Sequence, residues 1–76
     1  MDKNKLKSAI VERGIRVEDF IEMIDAKVDY NFTKDAYYAR MSGRVEFRRG
    51  EIKACKEILS LSDSETSAIF FTDKVS

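Results

Sequence analysis

Histidine is absent from this 76-residue chain, so the usual proton carrier near neutral pH and the commonest metal ligand are both missing. Proline is absent as well, and only three glycines occur; with 37% of the residues charged, this favours a compact helical bundle over a sheet sandwich or a disordered tail. The single cysteine, Cys55, allows no internal disulfide and suits a reducing compartment. No stretch approaches the roughly 20 apolar residues that a bilayer-spanning helix needs. The N-terminus is too polar for a secretion signal, so the expected location is cytoplasmic, with no membrane partner. At this length the chain is expected to be one domain with a single small core, too small for a deep substrate pocket between two lobes.

Catalysis finds little to work with, and no enzyme, cofactor, metal or small-molecule substrate is expected. A lone thiol with no histidine beside it is not an activated nucleophile. The carboxylate pairs Glu18/Glu22 and Asp25/Asp29 recur at helical spacing but lack an apolar pocket or a metal-loop pattern, so they read as solvated. Asn31-Phe32-Thr33 spells a glycosylation acceptor, which carries no weight without a secretion route. Neither a phosphate-cradling glycine loop nor a zinc-ligand spacing is present.

What the chain does contain is helical periodicity. A first helix is predicted from about Asn4 to Arg13, with Leu6, Ile10 and Val11 as its apolar stripe and Gly14 as its stop. A second starts near Val17 and places Phe20, Ile21 and Ile24 on one face. The stretch Thr33 to Gly43, T-K-D-A-Y-Y-A-R-M-S-G, has a start and a stop of its own. Thr33 is a cap, Asp35 sits where the helix dipole favours negative charge, and Gly43 fills the left-handed closing position. Tyr37 and Met41 share one face and are expected in the core, while Lys34, Asp35 and Tyr38 fall on another. Phe47, in the connector Arg44-Val45-Glu46-Phe47, is the expected anchor of that loop. A fourth helix, from about Arg49 to Ser60, buries Ile52, Cys55, Ile58 and Leu59, with Cys55 acting as a small apolar residue. Ser62 followed by Glu65 is a capping box for a last helix, about 63–72, carrying Ala68, Ile69, Phe70 and Phe71.

The net charge of zero conceals segregation. Residues 1–32 carry six Lys or Arg against seven acids, a balance of −1. Residues 33–56 carry seven against three, a balance of +4, and residues 57–76 one against four, a balance of −3. The positive block coincides with the Thr33–Gly43 helix and with the loop and helix after it. Three polar side chains on one helix face, beside a basic block, suit base edges in a major groove with phosphates on either side.

The same segment resembles the recognition helix of the Xre/Cro family of phage and mobile-element repressors, which starts with Ser or Thr and ends in a small polar residue followed by Gly. Thr33, Ser42 and Gly43 hold those places, and Tyr37 and Met41 stand where the family has apolar residues. The resemblance runs from about Lys5 to Leu61. It implies an all-α, compact five-helix bundle of the lambda-repressor-like helix-turn-helix type, acting as a transcriptional regulator by operator occupancy. Two departures stand out. The family joins its second helix to the recognition helix through a tight turn, whereas here an insertion, Ala26 to Asn31, precedes Phe32. Either the second helix continues through Lys27, or Val28, Tyr30 and Phe32 alternate as an extended piece. The glutamine that many relatives place at the start of the second helix is missing, with Arg16 and Val17 there instead.

Under this DNA reading Lys34, Asp35 and Tyr38 face base edges, with an ordinary solvated helix face as the alternative; Thr33 caps the helix and donates to a phosphate, and Arg44 and Arg48 grip the backbone, with Arg40 and Arg49 as weaker candidates. Tyr30 is left open: it covers the core, stacks on a sugar or meets a partner. The expected ligand is double-stranded DNA carrying a pseudo-palindromic operator, bound by a homodimer. Ile69, Phe70, Phe71 and Val75 are the candidate dimer contacts, with closure of the monomer's own core as the alternative. A protein-interaction module, an antirepressor or adaptor on the same scaffold without operator binding, is the rival reading.

Overall fold

The computed structural model describes residues 1–71. Among them five helices succeed one another with no strand: α1 (Lys3–Glu12), α2 (Val17–Lys27), α3 (Lys34–Met41), α4 (Arg49–Leu59) and α5 (Asp63–Phe70). The all-α, five-helix expectation holds. No helix among the described residues is long and apolar enough to cross a membrane.

One core joins all five helices. Leu6, Phe20, Ile24, Cys55 and Leu59 are fully enclosed, with Ile10, Ile21, Phe32, Tyr37, Met41, Ile69 and Phe70 packed around them. Helix α4 lies chiefly against α2, α1 against α5, and α3 against α2. The N-terminus is tied in through the Asp2 N–H, which donates to the Ile69 carbonyl at 2.7 Å. Arg13 links the far ends of α1 and α4 by donating to the Leu59 carbonyl at 2.6 Å. Phe47 is half-buried, its ring edge-on to Phe70 with centroids 5.4 Å apart, as its role of loop anchor requires.

Val11 departs from expectation. Periodicity puts it on the buried stripe of α1, but 73% of it is exposed. The stripe is narrow because α1 meets its neighbours only through Leu6, Ala9 and Ile10, and Val11 lies one step beyond them on the cylinder. In α4, Ile52 and Ile58 are only half-buried, while Ala54 and the charged Glu51 lie inside.

Caps set the helix boundaries as the sequence suggests. The Thr33 hydroxyl accepts from the Ala36 N–H at 3.2 Å. Ser62 and Glu65 bond reciprocally, side chain to backbone, at 3.0 and 2.8 Å. Three helices end in the same backbone motif, in which a left-handed residue lets two N–H groups turn back to the final carbonyls. Gly14 (φ 68°) and Gly43 (φ 89°) fill that position after α1 and α3. After α4 it falls to Ser60 (φ 53°, ψ 46°), with the Leu61 N–H returning to the Lys56 carbonyl at 2.9 Å. A residue with a Cβ is strained there, by ~1–3 kcal/mol, and glycine gives back part of that relief through its more flexible unfolded chain. Ser60→Gly is therefore expected to stabilise the fold by ~0.5–1 kcal/mol, read as a higher urea midpoint with an unchanged slope.

Candidate nucleic-acid interface

Helix α3 is amphipathic in an unusual way: its inner face carries charge. Tyr37, Ala39, Arg40 and Met41 are buried, while Lys34, Asp35, Tyr38 and Ser42 are exposed. Lys34, Tyr38 and Ser42 are spaced by four residues and so line one outward stripe. The stripe is held from behind. The Tyr37 ring meets Phe20 edge-on in the core, and Tyr38 in turn stands edge-on to Tyr37, with ring centroids 5.0 Å apart. Half of Tyr38 is exposed, yet its ring rests edge-on against a buried neighbour.

Arg40 corrects the expectation that it offers a weaker phosphate contact, for only 8% of it is exposed. It turns inward to Glu51 of α4, which has no exposure at all. The guanidinium donates from Nε to Glu51 Oε1 at 2.6 Å and from a terminal nitrogen to Oε2 at 3.1 Å, the two-pronged geometry that suits arginine and carboxylate. Its remaining terminal nitrogen donates to the Ala36 carbonyl at 3.1 Å. Glu51 Oε1 also accepts the Arg48 N–H at 3.0 Å, and Oε2 accepts the Tyr30 hydroxyl. Every buried side-chain polar atom among the described residues has a partner.

The insertion follows the first alternative drawn for it, and the chain is bent at 28–30, not extended, although burial alternates along it. Helix α2 does continue through Lys27, and the next residues then alternate: Val28 and Tyr30 half-buried, Phe32 buried, Asp29 and Asn31 exposed. Asp25 pins the end of this run by accepting the Phe32 N–H at 2.8 Å. Tyr30 covers the core by closing the Glu51 carboxylate, and Arg48 lies across its ring, 5.1 Å from the centroid. Phe32 receives the Arg40 guanidinium in the same manner at 5.4 Å.

The candidate phosphate residues are thus separated. Arg44, exposed, borders a groove shared with Tyr38 and α1; Arg48, exposed, belongs with Tyr30 of the insertion. Arg49 is exposed at the start of α4, and Arg16 pairs with Asp19 at 3.2 Å at the start of α2. Among the dimer candidates, Ile69 and Phe70 lie in the monomer's own core, Phe71 is exposed, and Val75 falls outside the described residues. No cluster of potential metal ligands occurs among the described residues. Cys55 is enclosed, and burial pushes its thiol up to about 12, so it stays protonated at neutral pH.

Two features of the site lie beyond the reach of the sequence reading: the Arg40–Glu51 pair and the hydroxyl of Tyr30 upon it. Glu51 shares its side of α4 with Ala54 and Cys55, a signal that it faces inward, but nothing in the sequence names Arg40 or Tyr30 as its partner. Comparison with protein-family models, curated proteins and solved structures finds no match.

Burial pushes the Glu51 carboxyl up, but Arg40, Tyr30 and the Arg48 N–H together outweigh it and hold the group below the usual carboxylate range. Its contribution to stability is then complete above the unfolded value of about 4.3 and is lost as the pH falls through the lower folded value. Glu51→Gln is expected to flatten the acid limb of stability against pH, measured by urea midpoints between neutral pH and about pH 3. Removing one partner leaves a buried charge alone, so Glu51→Ala is expected to cost about 3–5 kcal/mol. The double variant Arg40→Met/Glu51→Leu removes both charges and is expected to recover most of that loss in the same denaturation series.

Proposed function

We propose that this chain is a sequence-specific DNA-binding regulator of the helix-turn-helix type, acting by occupancy of a pseudo-palindromic operator as a homodimer. The observation that supports this most directly is α3, a capped helix with its back fastened to α4 by a buried ion pair and its front offering Lys34, Asp35 and Tyr38 to solvent. A reading helix must present side chains in a fixed register, because base-edge hydrogen bonds are short and directional. In this reading Lys34 donates to guanine or thymine acceptors, Asp35 accepts from cytosine or orients Lys34, and the Tyr38 ring lies against a thymine methyl. Thr33 keeps its capping role and adds a phosphate contact at the helix start. Arg44 borders the groove beside Tyr38 and Arg48 lies over Tyr30 of the insertion; in this reading both grip the phosphate backbone. The resemblance of Thr33 to Gly43 to the Xre/Cro recognition helix points the same way. With Ile69 and Phe70 occupied in the monomer, Phe71 is the described residue of that group still available to a second copy.

A six-residue connection between α2 and α3, longer than the family's tight turn, means that α3 docks at an angle of its own. It also keeps the rival reading, a protein-interaction module, in play. The decisive experiment is selection of bound duplexes from a random library by the wild type and by Lys34→Ala/Tyr38→Ala. The expected result is a two-fold motif that the variant fails to select, with affinity falling by orders of magnitude between about 50 and 200 mM salt if six or more phosphates are contacted. A folded wild type that enriches nothing would overturn the operator reading.

A further inference from the structure

Beside the exposed stripe of α3 runs a groove of about 640 Å³, formed by α1, the turn after it, the start of α2 and α3. Two of its apolar residues, Val11 and Val17, stand out because they serve no core. Val11 is 73% exposed and Val17 36%, with Ile15 half-buried between them and Tyr38 standing at the opposite wall. Four apolar side chains converge on one open trough whose exposed lining is mainly apolar. The rim has one sign of charge: Lys3 and Lys7 on α1 face Arg44 after α3, and none of the described residues lining the groove is acidic. Lys3, Lys7 and Val11 succeed each other at four-residue spacing, so cations and apolar floor lie on one line along α1.

We infer that this groove seats an acidic amphipathic helix of a partner protein. Valine floors are of no use to a phosphate backbone, which needs donors, whereas the apolar stripe of a helix fits a trough between two helices. The cationic rim then selects acidic over basic flanks on that stripe and raises the encounter rate. The groove adjoins the outward stripe of α3: Tyr38 and Ser42 of that stripe line it, as does Arg44. A partner seated here and DNA on α3 would therefore exclude one another, a clause that rests on the operator reading.

The test is a displayed library of helical peptides with randomised surfaces, selected against the wild type and counter-selected against Val11→Asp. Val11 is so exposed that its replacement should leave the fold intact, which thermal unfolding checks. Winners are expected to carry an apolar stripe with acidic flanks, to lose about tenfold or more in affinity to Val11→Asp, and to weaken with Lys3→Glu/Lys7→Glu. Amide shifts should map their site to Val11, Ile15, Val17 and Tyr38. Winners without acidic flanks, binding elsewhere, or no enrichment would overturn the inference. So would a concentration-dependent dimer that Val11→Asp dissolves, because the groove would then belong to a second copy. A wild type that selects no DNA yet binds acidic helices here keeps this inference and loses the operator reading.

Discussion

A carboxylate in the middle of the protein constrains everything around it. Glu51 is fully enclosed, and an ionised group so placed is tolerable only if its lone pairs are met almost completely. Four donors from three parts of the chain meet them: two from Arg40 on α3, the Arg48 N–H at the start of α4, and the Tyr30 hydroxyl from the connection between α2 and α3. Losing Arg40 leaves the buried charge unbalanced, and losing either neutral donor leaves one of its lone pairs unmet. The fold is consequently specified by a polar contact where a small helical bundle would ordinarily depend on shape alone.

This arrangement explains why the residues between α2 and α3 are not idle length. Longer surface loops cost little entropy, so a chain can carry them without benefit. Here the segment delivers Phe32 to the core, places Phe32 and Tyr30 as ring faces beneath Arg40 and Arg48, and supplies the last donor to Glu51. The same side chains fix the rotation of α3 about its axis. With Arg40 held at one side and Tyr37 wedged against Phe20, the Lys34–Tyr38–Ser42 stripe has only one direction in which to face.

The elements whose signals are local are the legible ones. Thr33, Ser62 with Glu65, Gly14 and Gly43 act within a turn of where they stand, and the caps occur as read. Apolar periodicity places Phe20, Ile21, Ile24, Cys55 and Leu59 correctly because each lies near the middle of a buried stripe. Val11 fails because a stripe's edge depends on how closely neighbouring helices approach, which periodicity does not contain. Arg40 and Glu51 escape a sequence reading for a related reason. Charge predicts exposure unless a partner of opposite charge arrives from elsewhere, and the two are 11 residues apart on different helices, with Tyr30 a further 10 away. The exposed face of α3 is legible as a set of residues; its separation of Arg44 from Arg48 depends on tertiary packing and is not.

The two surfaces beside Tyr38 differ in how they would respond to solution conditions, and that difference bears on regulation. Contacts with phosphates draw on counterion release and weaken steeply with salt, while an apolar trough loses only the contribution of its charged rim. Low salt would therefore favour DNA on α3, and higher salt would tilt the balance toward a helical partner in the groove. On these two proposals Tyr38 is a residue that both ligands would touch, and its ring stands edge-on to Tyr37. A side chain already resting on a buried neighbour needs little ordering by either, so the exchange would be governed by charge and apolar area and not by rearrangement of the helix.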